Sequence, residues 1–192
     1  MSTTPLPTTS TFTSDPTLLS IDKPPPPPPS PSSSSLTNDQ NNERNNNYLN
    51  IYLDKEPITP SIFTITKTTS RNIYNHARTR NENNRFSQQQ QQLQQSGRVW
   101  TGSDEDVILY NDKGFIMEAT IFNVAFYRSS KWVTPSSTTS GCLPGVMRRW
   151  LLQNHRISED ETGCLTKDSI QPGEWVLLFN GVQGCRLGKI YV

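Results

Sequence analysis

The chain has 192 residues, a net charge of +1 and a 32 % hydrophobic share, which suits one domain plus a tail. So balanced a charge argues against bulk electrostatic capture of nucleic acid, and no apolar run approaches the length of a membrane span. Three cysteines without metal-ligand spacing and only two histidines leave no basis for a metal site, and free, mostly buried thiols point to a reducing, cytoplasmic setting.

Residues 1–50 are low in complexity: a Ser/Thr/Pro stretch runs into Pro24–Pro29, then a serine run, then an Asn-rich segment. Too little apolar surface is present to offset the entropy of ordering them, so a disordered tail is expected. Met1–Asp15 have neither a basic start nor an apolar core, and no secretory signal is expected. The proline run should form an extended polyproline rod; a plain linker is the simpler reading, and an SH3 or WW partner the more specific one.

Order is expected from about Ile51. Ile62 to Lys67 alternates and is β-branched, which predicts a strand. Arg71 to Arg78 places Ile73, Tyr74 and Ala77 at helical spacing, with Thr69 or Ser70 as a cap. Asn81–Asn84 and the glutamines from Gln88 to Gln95 then predict a disordered surface insert over about residues 81–97, which a fold absorbs at little extra closure entropy. Beyond it the pattern is globular. Strands are expected at Val107–Tyr110 and Phe115–Glu118 around an Asn111–Gly114 turn. A hairpin is expected from Asn123–Tyr127 and Lys131–Thr134, and further strands at Glu174–Phe179 and Gly188–Val192. A helix is expected from Gly145 to Leu152, entered from Pro144. Trp132, Trp150 and Trp175 read as core aromatics. The class is α+β, a domain of residues 51–192 behind the tail.

Chemistry concentrates in three segments. Glu118-Ala-Thr-Ile-Phe-Asn123 sets a carboxylate and an amide five positions apart. Val133-Thr134-Pro135 follows the hairpin, and Gly141-Cys-Leu-Pro-Gly-Val-Met-Arg148 leads a glycine-rich loop into a helix. A helix start offers unpaired N–H groups and the positive dipole end to an anion. Each piece has a bland alternative: Glu118 as a solvated turn carboxylate, Gly145, Val146 and Met147 as a plain helix start, Lys67 as one more surface lysine. Thr120 and Asn123 suit a structural role about as well as a binding one.

Taken together these segments resemble the signature of the class IV (fold-type IV) PLP-dependent aminotransferases. Lys67-Thr-Thr-Ser-Arg71-Asn-Ile-Tyr74 is similar to the lysine segment of the family's fungal, aminodeoxychorismate lyase-like branch, and Leu178-Phe-Asn180-Gly181-Val182 to its second phosphate loop. The family usually has Arg where Gln183 stands. The separation of Lys67 from Glu118 exceeds the family's, and the insert accounts for the excess. The resemblance covers Ile51 to Val192. It implies the carboxy-terminal domain of the D-amino acid and branched-chain aminotransferase-like PLP fold. It further implies pyridoxal 5'-phosphate as cofactor, Lys67 as the Schiff-base lysine and Glu118 as partner of the pyridine nitrogen. Thr120, Asn123, Gly145, Val146, Met147, Asn180, Gly181 and Val182 would be further cofactor-binding residues. Arg71 is assigned a supporting structural place.

The implied function is a lyase acting on 4-amino-4-deoxychorismate to give pyruvate and p-aminobenzoate, a folate precursor. The alternatives are an aminotransferase for branched-chain or D-amino acids, and an inactive, truncated relative acting as an interaction protein. A small-molecule amine substrate and a homodimer follow from the same resemblance. Family members carry an amino-terminal domain with a phosphate-binding arginine, and nothing in residues 1–50 matches it.

Overall fold

The computed structural model describes residues 48–66, 68–89 and 104–191. The expected tail with its Pro24–Pro29 ligand segment, Lys67 and most of the Gln-rich run lie outside the described residues. Eight strands, β1 (Leu49–Leu53), β2 (Glu105–Tyr110), β3 (Ile116–Ala119), β4 (Asn123–Arg128), β5 (Lys131–Thr134), β6 (Ser158–Glu159), β7 (Trp175–Asn180) and β8 (Gly184–Tyr191), form one mixed sheet in the order β3-β2-β1-β8-β7-β4-β5-β6. β1 runs parallel to both β2 and β8. A parallel pair needs a long crossover, and the β1–β2 crossover carries α1 (Ile62–Ile65), α2 (Asn72–Gln89) and the whole insert. Extra length there leaves the strand register untouched.

The sheet curls into a half-barrel. β3 and β4 stand first and sixth in the order, yet only Thr120, Ile121 and Phe122 join them, so the β3 edge must swing round towards β4. Side chains alternate across the strands. Ile108, Tyr110, Val124, Phe126, Val176 and Leu178 turn inward to meet Leu49, Ile51 and Ile190 in a core without helical residues. Their neighbours Ala125, Leu177 and Phe179 turn outward beneath Leu151 of α4 (Val146–Gln153). Val107 and Leu109 turn outward beneath Tyr74 and Ala77 of α2. Fully buried side chains such as Phe126 and Phe179 each contribute about 1.5–3 kcal/mol.

Four local expectations need correction. Ile62–Ile65 is a single helical turn rather than a strand. Both places beside β1 are taken by β2 and β8, and the β-branched run pairs with no strand. Local bonds hold the turn: the Thr64 hydroxyl donates to Ser61 O at 2.9 Å and accepts from Ser61 N at 2.9 Å. Second, α2 opens at the Arg71 carbonyl, which accepts from Asn75 N at 2.9 Å, not on a cap from Thr69 or Ser70. Third, α2 continues through Asn81–Asn84 to Gln89, where composition predicts a loop. Arg80 anchors it through Asp54 at 2.5 Å and Glu56 at 3.2 Å, and Gln, Glu and Arg are good helix formers. Fourth, Trp150 lies on the outer side of α4, 36 % exposed, whereas Trp132 is buried. β8 also begins earlier than expected, at Gly184, because it pairs with the full length of β7. α3 (Ser137–Ser140) and the turn at Lys167–Ser169 carry no sequence pattern that separates them from loop.

The β4–β5 hairpin turns on Ser129 and Ser130, with φ of 48° and 66°. This geometry suits glycine at the second position, and serine there carries the left-handed penalty. Ser130→Gly is expected to raise stability by about 0.5–1 kcal/mol after the entropy of the added glycine is subtracted, measured as an upward shift of the urea midpoint.

Candidate functional site

The curl brings the end of β3 against the start of β4 and the entry to α4. Glu118, on β3, is 4 % exposed. Its Oε2 accepts from Leu143 N at 3.0 Å and from Asn123 Nδ2 at 3.4 Å. Its Oε1 accepts from the Tyr74 phenol at 2.7 Å. Among the described residues no cation lies within ion-pair distance of this carboxylate. Burial pushes its pKa up to about 7, against the opposing pull of the Tyr74 and Leu143 hydrogen bonds and of the Arg71 and Arg148 charges. Burial and the facing carboxylate hold the Tyr74 phenol well above the ordinary phenol range, so it remains a donor.

Asn123, at the start of β4, links this carboxylate to α4. Its Nδ2 also donates to Leu143 O at 2.8 Å, and its Oδ1 lies so close to Gly145 that a Cβ there would stand 2.3 Å away. Gly145 is the N-cap of α4 and brings no side chain to the first-turn N–H groups, which include those of Val146 and Met147. Val146 is exposed and Met147 packs partly against the outer core. Arg148 is buried, donates from Nη2 to Pro135 O at 2.7 Å and pairs with Glu159 at 3.0 Å, which pins the start of α4 to the end of the hairpin.

Thr120 is placed differently. Its hydroxyl donates to Asp106 and accepts from Arg78 Nε at 2.7 Å, and its carbonyl accepts from Arg71 Nη2 at 2.5 Å. Its side chain therefore braces the β3–β4 loop. Asn180, Gly181 and Val182 form the β7–β8 turn. Asn180 Nδ2 donates to Ile121 O at 3.1 Å, which ties this turn to the β3–β4 loop. Asn180 Oδ1 accepts from Val182 N at 2.9 Å and Gln183 N at 2.7 Å. Val182 is 91 % exposed, and the space beside Gly181 is open.

Glu118, Asn123 and Gly145 thus come together, with the starts of Val146 and Met147 beside them. Asn180–Val182 form a rim joined through Ile121, and Lys67 lies outside the described residues. Sequence reasoning missed Tyr74, Asp106 and Arg148. Tyr74 and Arg148 close two of the quoted segments but carry no signal that separates a site role from a structural one, and Asp106 looks like an ordinary surface charge. A separate cavity lined by Phe115, Ile116, Pro135, Ser140, Asp160 and Leu165 contains none of the expected site residues. No helix among the described residues is long and apolar enough to cross a membrane.

The arrangement suits a ligand with a cationic or protonated ring group at one end and an anion at the other. A buried carboxylate without a cation calls for one, and an uncapped helix start offers donors to an anion. The sequence signature described as amino-transferase class IV matches residues 2–189. Over 146 residues the chain is 45 % identical to a Schizosaccharomyces pombe protein provisionally named aminodeoxychorismate lyase, covering 74 % of this chain and 55 % of the relative. Over 149 residues it is 38 % identical to the aminodeoxychorismate lyase of Saccharomyces cerevisiae, covering 73 % of this chain and 37 % of the relative. The chain therefore spans about half, or less, of the length of these curated relatives. A solved structure from Mesorhizobium loti, provisionally described as an amino-acid aminotransferase, superposes with a TM-score of 0.54 at 24 % identity, covering 76 % of this chain and 61 % of that one. That likeness is one of fold: the expected carboxy-terminal domain of the class IV aminotransferases, here built as a half-barrel.

Proposed function

The chain belongs to the class IV amino-transferase family, and from that premise we propose that it is the cofactor-holding domain of a pyridoxal 5'-phosphate enzyme of the aminodeoxychorismate lyase type. The observation that carries this reading is Glu118, a buried carboxylate ringed by donors and, among the described residues, without a cation at ion-pair distance. The protonated ring nitrogen of the cofactor has the charge that this carboxylate lacks. The names of the two yeast relatives support the lyase reaction.

Each residue has a task in this proposal. Glu118 holds the ring nitrogen, and Asn123 fixes Glu118 against Leu143. The amides of Val146 and Met147 receive the phosphate, with Gly145 allowing the close packing that sets α4 beside Asn123. Thr120 acts through the loop it braces. Asn180, Gly181 and Val182 edge the phosphate side, although the Val182 amide is taken by Asn180 and would have to exchange that bond. Lys67 would hold the cofactor until the substrate amine takes its place there, and its freed, neutral amine would then accept the ring proton of 4-amino-4-deoxychorismate. Bound PLP supplies the electron sink for that proton's departure. Pyruvate and p-aminobenzoate are the products.

Borohydride treatment of the full chain with PLP should fix one cofactor on Lys67, located by peptide mass spectrometry. Lys67→Ala should show no such label, and its rate of pyruvate release should fall about 10²–10⁴-fold. Keto-acid formation in place of pyruvate release would assign an aminotransferase. A wild-type chain that takes up no PLP would overturn the proposal.

A further inference from the structure

The Tyr74–Glu118 contact joins two parts of the molecule that local sequence does not connect. Tyr74 lies in the first turn of α2, close after Lys67 in the chain, and is 8 % exposed. Its phenol reaches Glu118 Oε1 at 2.7 Å. The Arg71 guanidinium lies over its ring, 5.0 Å from the centroid, and is tethered to Thr120 O. The ring is therefore held between α2 and the β3–β4 loop. Besides Tyr74, the titratable and charged groups facing Glu118 among the described residues are Arg71, Arg148 and Cys142. Neither arginine lies within ion-pair distance of it.

We propose that Tyr74 is a positioning residue whose phenol holds the Glu118 carboxylate in its charged form and orientation, ready to receive the cofactor's ring nitrogen. The cofactor half of this inference rests on the PLP reading above; the carboxylate half does not. A phenol can donate to a carboxylate, and a carboxylate so bonded is favoured over the neutral acid. With burial pushing the Glu118 carboxyl up to about 7, the Tyr74 donor pulls it back towards the charged form, alongside the Leu143 bond and the Arg71 and Arg148 charges. Asn123 and Leu143 occupy the other oxygen, so they cannot take over the Tyr74 bond without turning the carboxylate.

The test uses the full, cofactor-free chain labelled with ¹³C at the glutamate carboxyl, the Glu118 signal being assigned by its loss in Glu118→Gln. In Tyr74→Phe the Glu118 midpoint should rise by about one pH unit or more, the worth of one hydrogen bond to a charge. Tyr110→Phe is the control: Tyr110 is equally buried, and its hydroxyl donates to Lys55 O at 3.0 Å. It should leave the midpoint in place. An unmoved midpoint in Tyr74→Phe, or an equal rise in Tyr110→Phe, overturns the proposal. If Tyr74→Phe does not fold, 3-fluorotyrosine at position 74 decides the matter with opposite sign, because its more acidic phenol should lower the midpoint. PLP affinity provides the second readout. It should fall about tenfold in Tyr74→Phe near neutrality and return towards wild type at about pH 9, where the carboxyl ionises without help; a deficit that persists there marks mere structural damage. A wild type without PLP uptake defeats the functional reading, while the carboxyl titration still decides the Tyr74–Glu118 coupling.

Discussion

In Glu118→Gln the cofactor-free chain is expected to lose a pH dependence of stability that the wild type shows between about pH 4.5 and 7, and to lose PLP affinity at the same time. The Glu118 carboxyl is raised from 4.5 to about 7 by burial. Below the lower value both folded and unfolded chains carry the proton. Between the two values the unfolded chain releases it and the folded chain keeps it, so stability falls as pH rises. Each unit is worth about 1.4 kcal/mol, so the wild type should sit about 3 kcal/mol lower at pH 8 than this group alone would allow at pH 4. Glutamine cannot titrate, and the decline should vanish. Part of the gain at pH 8 is offset because charge-assisted bonds become neutral ones: the amide oxygen can take the Leu143 and Asn123 donors while its nitrogen donates to the Tyr74 hydroxyl, at a cost of about 1 kcal/mol. Urea titrations of both proteins from pH 5 to 8 isolate the effect in their difference, since Asp160 and Glu159, which are shifted downward, are common to both. PLP affinity should fall about 10²–10³-fold, the consequence of removing one partner of a buried charge pair. A stability difference independent of pH would refute the assignment of Glu118 as the buried titrating group. Such a result, a site residue that destabilises its own apo fold, is what a pre-formed charge site predicts.

Gly145→Ala is expected to disturb the site by sterics alone. The backbone at Gly145 has φ −61° and ψ 156°, a conformation open to any residue. The obstacle is Asn123 Oδ1, 2.3 Å from the position of the new Cβ. Asn123 can yield only by giving up its 2.8 Å bond to Leu143 O, and with it the seat of the Leu143 amide that serves Glu118. A loss of about 1–3 kcal/mol follows from the overpacking, with at least a tenfold fall in PLP affinity as the start of α4 shifts. The double variant Gly145→Ala, Asn123→Ala removes the obstacle. Its loss of stability should be smaller than the sum of the single losses by about 1 kcal/mol or more, read by urea titration as a double-mutant cycle. Additive losses would place the damage elsewhere.

The chemistry in this chain was largely legible as residues and poorly legible as contacts. Glu118, Asn123 and Gly145 stand out in sequence because a carboxylate, an amide and a Pro-Gly helix entry follow in close order, and the sheet curl unites them. Thr120 stands out equally, yet its hydroxyl serves Asp106 and Arg78. Nothing in Glu118-Ala-Thr120 reveals that, because Arg78 reaches it across 42 residues of chain. Tyr74 stands at an apolar position of helical spacing, and it is buried as core residues are. That its hydroxyl meets a carboxylate 44 residues away depends on how α2 crosses the sheet.

By itself the sequence determined the elements whose pattern is local. β2, β4, β5 and β7 are short apolar or β-branched runs closed by turn residues, and α4 is an amphipathic turn entered through Pro144-Gly145. Their periodicities of two and 3.6 are properties of the backbone and survive any tertiary context that buries one face. Ile62–Ile65 has strand composition and becomes a helical turn held by the Ser61–Thr64 bonds. Tertiary structure alone decided the rest. α2 outruns its apolar stripe because Asp54 and Glu56 hold Arg80. Glu118 becomes a buried carboxylate near neutrality because a three-residue link forces the sheet to curl over it, and desolvation is a property of enclosure, which no single segment carries.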